Sequence, residues 1–304
     1  MIAIRNFDEL LQTARRLGPA PVAVAAADDP EVLASLVEAQ KEGIITAHLV
    51  GDQVAIEAIA AREGFDLTGM FIIHQPSHTQ AARRVVALVR AGQASIVVKG
   101  LLKTTELLAP VLDRTEGLRD RDLLTHVAII EITGRNQLLY ASDSGVVLYP
   151  TWEQKLDIIR SVVALAQRFG VAEPRVAILG ATDRVSIKTG LGVEALTLAK
   201  MAQQGAVKGA VVEGPLPLDV AVNPRAAQIK GITTAMPGTA DILIFPDVEA
   251  GNIMCKAMQQ IGGARVIGLI AGARAPIIIN SRADDAETRL LSMAMAVVWA
   301  RYTS

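Results

Sequence analysis

The sequence predicts an α/β protein with largely parallel sheets, and three observations carry that prediction. Short runs rich in Val, Ile and Ala recur along almost the whole 304 residues. They are apolar throughout rather than alternating, as strands covered on both faces are. Between them lie segments whose apolar residues recur every three or four positions, which is the rhythm of strand, crossover helix, strand.

Taken in chain order, strands are predicted at 21–26, 47–51, 70–74, 94–99, 127–132, 175–179, 210–212, 241–245, 265–270 and 276–280. Helices are predicted over 30–42, 77–92, 151–169, 193–205 and, last, about 283–302. The first of these has a clear start, because Asp29 can cap and Pro30 suits the first helical position. Gly134-Arg135-Asn136-Gln137 breaks the rhythm, and the runs 127–132 and 137–141 around it read as a hairpin. Ten strand runs are many for one open sheet, so two domains are predicted. Residues 1–142 with 283–304 form the first, the last helix returning to it, and residues 143–282 form the second.

Composition narrows the function. Thirty Lys and Arg against 31 Asp and Glu leave a net charge of −1, which argues against nucleic acid or an anionic membrane surface as partner. Aromatic residues are only 3% of the chain, too few for a base-stacking platform. The apolar-looking run Leu290–Ala300 contains Ser292 and stops at Arg301, well short of the ~20 residues that span a bilayer. The first residues carry no apolar stretch of signal-peptide length. The single cysteine, Cys255, excludes an intrachain disulfide and suits a reducing cytosol, so a soluble cytoplasmic protein is expected. No metal site is expected: there are four His, and Pro76 separates His74 from His78.

The most informative segment is Pro276-Ile-Ile-Ile-Asn-Ser-Arg-Ala-Asp-Asp-Ala-Glu287, where a buried strand gives way to a helix. Ligands of open α/β sheets bind at the carboxyl ends of strands, where helix N-termini offer free N–H groups. Ser281 and Arg282 stand at that junction as a hydroxyl and a bidentate anion donor. The same letters also read as an ordinary capping box, with Ser281 and Asp284 or Asp284 and Glu287 as its two ends. A second junction, Val98-Lys99-Gly100-Leu-Leu-Lys103-Thr104-Thr105, can cradle a phosphate, although it lacks Walker A spacing. Its plain reading is a turn glycine flanked by solvated lysines. Glu213-Gly214-Pro215 and Asp247-Val-Glu249-Ala-Gly251-Asn252 follow apolar strands further on. Each alone is turn chemistry, but their recurrence at strand ends makes them candidate substrate-binding residues. Gly190-Leu-Gly192 imitates a dinucleotide fingerprint, yet the preceding strand ends near Leu179, so the tight strand-turn-helix context is missing.

Lys99-Gly100, Val212-Glu-Gly-Pro-Leu216, Ile244-Phe-Pro-Asp-Val-Glu-Ala-Gly-Asn252 and Asn280-Ser-Arg-Ala-Asp284, in this order, together resemble the phosphate acetyl/butyryltransferase family, its butyryl branch above all. The resemblance implies reversible acyl transfer between coenzyme A and phosphate, with coenzyme A as substrate and no cofactor or metal. It also implies an isopropylmalate-dehydrogenase-like two-domain fold around a cleft, and a homodimer. Ser281 matches the family's active-site serine, Arg282 is the simplest cation for phosphate, and Asp284 is the favoured base. Acetyl-type relatives place an Asp seven residues after that serine; here the position is Thr288, with Asp284, Asp285 and Glu287 nearby. They also carry Arg before Pro in the helix after the Lys-Gly loop, where this chain has Ala109-Pro110, so phosphate binding shifts toward Lys99, Lys103 or another Arg. The competing readings are a nicotinamide-dependent dehydrogenase on the related fold and a non-catalytic acyl-CoA-binding domain.

Overall fold

The structure, a computed structural model, describes residues 3–188, 190, 192–281 and 284–302. The chain divides into two compact units: Phe7–Asp122 with Ile267–Ser304, and Met1–Asn6 with Leu123–Val266.

The first unit opens with α1 (Phe7–Leu17), β1 (Ala20–Ala25), α2 (Pro30–Lys41), β2 (Ile45–Gly51) and α3 (Gln53–Glu63). It continues through β3 (Phe71–His74), α4 (His78–Arg90), β4 (Ile96–Lys99) and α5 (Thr104–Val111). The second unit contains the antiparallel pair β5 (Thr125–Glu131) and β6 (Leu139–Ser142), then α6 (Trp152–Arg168), β7 (Arg175–Leu179) and α7 (Val193–Met201). There follow β8 (Val211–Leu216), α8 (Leu218–Val222), α9 (Pro224–Lys230), β9 (Ile242–Ile244) and α10 (Val248–Gln260). With β10 (Arg265–Ala271) the chain returns to the first unit, which it completes with β11 (Ile277–Ile278) and α11 (Ala286–Arg301).

Within the first unit the strands lie in the order β3-β2-β1-β4-β11, all parallel, and β10 joins β11 antiparallel. The buried Val, Ile and Ala side chains of β1, β2, β4 and β11 explain their apolar runs, whereas β3, at the sheet's edge, has no buried residue. Asp29 caps α2 as read from sequence, its carboxylate accepting the Val32 N–H at 3.0 Å. Helices α1 and α2 pack on α11, and α4 packs on α5 and β1. Within the second unit the order is β5-β6-β9-β7-β8, parallel from β6 onward. Its core gathers Ile130, Leu139, Leu243, Phe245 and Cys255.

The unit boundaries differ from those the sequence suggested, 142/143 and 282/283. The division falls before the β5–β6 pair rather than after it, because β6 continues by pairing with β9. The segment from Ile267 belongs with the first unit because β11 pairs with β4. Residue Ile4 goes with the second unit, its N–H bonded to the Phe169 carbonyl at 3.1 Å.

Candidate active site

Strands β1, β4 and β11 are parallel neighbours, so their C-terminal ends lie side by side. Ala25 is opposite Lys99 across one ladder, and Val98 is opposite Ile278 across the other. The two loops that leave β1 and β4 are locked together by backbone. Gly100 N–H donates to the Ala25 carbonyl at 2.8 Å and Leu101 N–H to the Ala26 carbonyl at 2.7 Å. Ala26 is held at φ 52°, in the left-handed region that costs a non-glycine residue free energy. A side chain at Gly100 would bring its Cβ to 2.0 Å from the Ala26 carbonyl oxygen, so only glycine fits.

Lys99 turns back over its own loop, Nζ donating to the carbonyls of Gly100 at 3.1 Å and Leu102 at 3.0 Å. With Gly100, Asn280, Ser281 and Arg289 it lines a small cavity of about 30 Å³. Of the predicted site residues, Lys99, Gly100 and Ser281 therefore meet at one place. Lys103 and Thr104 do not line this cavity: Lys103 caps α5, its N–H donating to Glu106 Oε2 at 2.8 Å, and Thr104 is the first helical residue. Lys103 is thus the solvated lysine of the plain reading, whereas Lys99, half-buried and bonded to two carbonyls, is not.

The end of β11 settles which acid caps α11. The Asp285 carboxylate accepts the Thr288 N–H at 2.8 Å, and the helix starts at Ala286. This corrects the expected start near 283–284 and the capping box built on Asp284. The Asp284 Oδ2 instead accepts the Ser281 N–H at 2.7 Å and the Asn280 Nδ2 at 3.2 Å. Thr288, in the first turn of α11, is buried. Arg282, the predicted phosphate donor, lies outside the described residues.

The other predicted residues belong to the second unit. Glu213, Gly214 and Pro215 lie inside β8, not after it as expected. The Glu213 carboxylate accepts from Thr234 Oγ1 and, at 3.1 Å, from the Ala235 N–H, so it anchors a loop. A Cβ at Gly214 would stand 2.7 Å from the Ile178 Cβ, and a one-residue register shift against β7 occurs there. Proline and glycine in this edge strand are thus the mark of a bulge. Asp247 caps α10 by accepting the Ala250 N–H at 2.9 Å, and Glu249 accepts from the Tyr149 hydroxyl, whose pKa this bond pushes up. Gly251 is buried with the Asp143 carbonyl oxygen 2.3 Å from where a Cβ would stand, and Asn252 Nδ2 donates to the Ser144 carbonyl at 3.2 Å.

This segment therefore packs on a loop after β6 that sequence reasoning passed over. There the buried Asp143 carboxylate accepts from Thr125 Oγ1 at 2.7 Å, the His126 N–H at 3.0 Å and the Gly145 N–H at 2.7 Å. The His126 ring Nδ1 meets Ser144 Oγ at 2.8 Å. Arg289 is the other residue passed over. Its signal was visible: a lone cation opening the apolar run of the last helix is either solvated or doing something buried. Gly190 and Gly192 serve a turn and the start of α7 at positive φ, far in sequence from the end of β7, in keeping with the rejected dinucleotide reading. Among the described residues no group of three or more His, Cys, Asp or Glu is placed to hold a metal ion, and no helix is long and apolar enough to cross a membrane.

Residues 78–297 match the family described as phosphate acetyl/butaryl transferase. The chain belongs to that family. It is 39% identical to a phosphate acetyltransferase of Rhizobium meliloti over 97% of this chain and 93% of the relative. It is 37% identical to a phosphate butyryltransferase of Clostridium acetobutylicum over 97% of this chain and 98% of the relative. Among solved structures, a branched-chain phosphotransacylase from Enterococcus faecalis V583 superposes with a TM-score of 0.82 at 27% identity, covering 92% of this chain and 99% of that one.

Proposed function

We propose that the chain moves a short acyl group, butyryl-type, reversibly between coenzyme A and inorganic phosphate. The observation that carries this reading is the meeting of Lys99, Gly100 and the Asn280–Ser281 strand end at one cavity, with the Asp284 carboxylate bonded to Ser281. In the direction that consumes acyl phosphate, the thiol proton of coenzyme A passes to Asp284, whose Oδ1 has no hydrogen-bond partner among the described residues. The thiolate attacks the acyl carbonyl, and the oxyanion that develops takes a hydrogen bond from the Ser281 hydroxyl. The C–O bond to phosphate then breaks, and phosphate leaves with its charge matched by Arg282 and Lys99. In the opposite direction phosphate attacks the thioester and the thiolate leaves, taking the proton back from Asp284.

Coenzyme A is a substrate in this reading, which uses no metal or prosthetic group. Two further parts of it, a cytoplasmic homodimer and an isopropylmalate-dehydrogenase-like fold, rest on the family resemblance, with the free Cys255 in keeping with a reducing compartment. The test is thiol release from butyryl-coenzyme A with and without inorganic phosphate, in the presence of a chelator. Release that depends on phosphate is expected, with butyryl phosphate as co-product. Release at the same rate without phosphate would mark a thioesterase and overturn the proposal.

A further inference from the structure

Arg289 sits one turn into α11 and is only 7% exposed, although the rest of that helix is largely apolar. Burying a guanidinium is costly unless its charge and donors are met. Among the described residues its hydrogen bonds go to two backbone carbonyls and to no carboxylate. Nε donates to the Asp284 carbonyl at 3.2 Å and Nη2 to the Ser281 carbonyl, also at 3.2 Å. One planar fork thus holds both ends of the segment that carries the active-site serine and the carboxylate beside it.

This is not helix capping. Asp285 already caps α11, and neither carbonyl belongs to the helix. A second tether leaves the same helix face: Ser292 Oγ meets Asn280 Nδ2 at 3.3 Å, and Asn280 donates in turn to the Asp284 carboxylate at 3.2 Å. Asp284 is therefore fixed twice from α11, by its main chain through Arg289 and by its side chain through Asn280. A group that must meet a thiol proton gains from this kind of double restraint, since a misplacement of about 1 Å costs on the order of 100-fold in rate.

We infer that Arg289 is a positioning residue for acyl transfer: it clamps the Ser281 and Asp284 carbonyls and so sets the geometry between the serine hydroxyl and the carboxylate. The inference rests on the reading given under Proposed function. The experiment compares Arg289→Met, which keeps the apolar stem, with Arg289→Lys, which keeps one charged donor group. Steady-state kinetics with butyryl-coenzyme A and phosphate are read alongside hydrogen exchange of the 280–288 peptide. Arg289→Met is expected to lower kcat roughly 10–100-fold with both KM values within about twofold, and to speed exchange in that peptide. Arg289→Lys is expected to restore part of the kcat and most of the protection. A rise in the KM for phosphate at unchanged kcat would make Arg289 a phosphate ligand and overturn the clamp, as would wild-type kcat in Arg289→Met. If Arg289→Met does not fold, the Lys variant decides: reduced kcat with slightly raised exchange supports the clamp, and wild-type values in both remove it. An inactive wild-type protein would instead sink the acyltransferase reading, while the exchange comparison still tests the clamp.

Discussion

Asp284 and Asp285 are adjacent in sequence and do different work. The Asp285 carboxylate caps α11 through the Thr288 N–H at 2.8 Å, whereas Asp284 closes back on the Ser281 N–H at 2.7 Å and keeps Oδ1 unbonded among the described residues. A carboxylate whose hydrogen bonds go to a helix start is a cap, whereas the proposed reaction gives the thiol proton to the carboxylate beside the serine.

The first prediction separates the two. Asp284→Asn is expected to lower turnover by roughly 10²–10⁴ while the fold holds, because the amide can keep one bond to Ser281 and cannot accept the proton. Asp285→Asn is expected to leave turnover within a few-fold, since Asn caps nearly as well as Asp. Equal losses in the two variants would remove the assignment.

Acid stability gives an independent handle on Asp285. Hydrogen bonds from the Thr288 N–H and side chain hold its carboxyl below the ordinary value of 3.8. A carboxyl depressed in the folded state stabilises the fold above its unfolded value and loses that contribution as pH falls through the folded one. Wild type is therefore expected to lose stability from below about pH 4, where Asp285→Asn loses less. Denaturant melts at pH 7 and pH 3 measure it, and identical pH dependence would contradict it.

Gly100 tests the packing of the two loops. Its Cβ position lies 2.0 Å from the Ala26 oxygen and 2.6 Å from the Ala25 oxygen, both backbone atoms that cannot rotate away. Gly100→Ala is expected to destabilise by about 1–3 kcal/mol, as overpacking does, and to impair turnover by displacing Lys99. The same change at Gly134, which has open space around it but φ 84°, is expected to leave turnover unchanged. Thermal melts and kcat on both variants decide.

The parallel strands were legible because each is a short apolar run with a turn residue behind it, and the β5–β6 hairpin followed from Gly134 breaking that rhythm. Helix α3 was not, since only Ile56 and Ala60 on it are buried and its apolar spacing is correspondingly weak. Nor was the extension of β8 through Gly214-Pro215, because Gly and Pro read as a terminator and only the edge position permits them inside a strand. At the candidate site, Ser281 and Lys99 could be named from their place after buried strands. The split between Asp284 and Asp285 depends on backbone geometry that two neighbouring letters do not encode. Arg289 reaches Ser281 across eight residues, through a fold of the chain that local pattern cannot see.

Cys255 bears on how the activity is measured. Burial pushes its thiol up to about 11, partly offset by a hydrogen bond with Ser144. At pH 8 only about one molecule in a thousand then carries the reactive thiolate. A disulfide reagent such as those used to follow coenzyme A release is expected to label no cysteine in the folded protein and one per chain in denaturant. Rapid native labelling would mean that α10 opens away from the second unit's core.

The last prediction concerns the acyl chain. Identity to the acetyl and butyryl relatives is nearly equal, 39% and 37%, so overall similarity does not choose between them. The butyryl preference is proposed on the family resemblance, which sets Ala109 and Thr288 apart from the Arg and Asp expected of acetyl-type members. Each buried methylene contributes ~0.8 kcal/mol, so two more in butyryl than in acetyl give ~1.6 kcal/mol, roughly 15-fold in kcat/KM. That is a preference rather than an exclusion, because a pocket that holds butyryl admits acetyl and binds it less well. Comparing kcat/KM for acetyl-, propionyl-, butyryl- and isobutyryl-coenzyme A at saturating phosphate measures it. A value for acetyl-coenzyme A equal to or above that for butyryl-coenzyme A would overturn the preference and leave the reaction type standing.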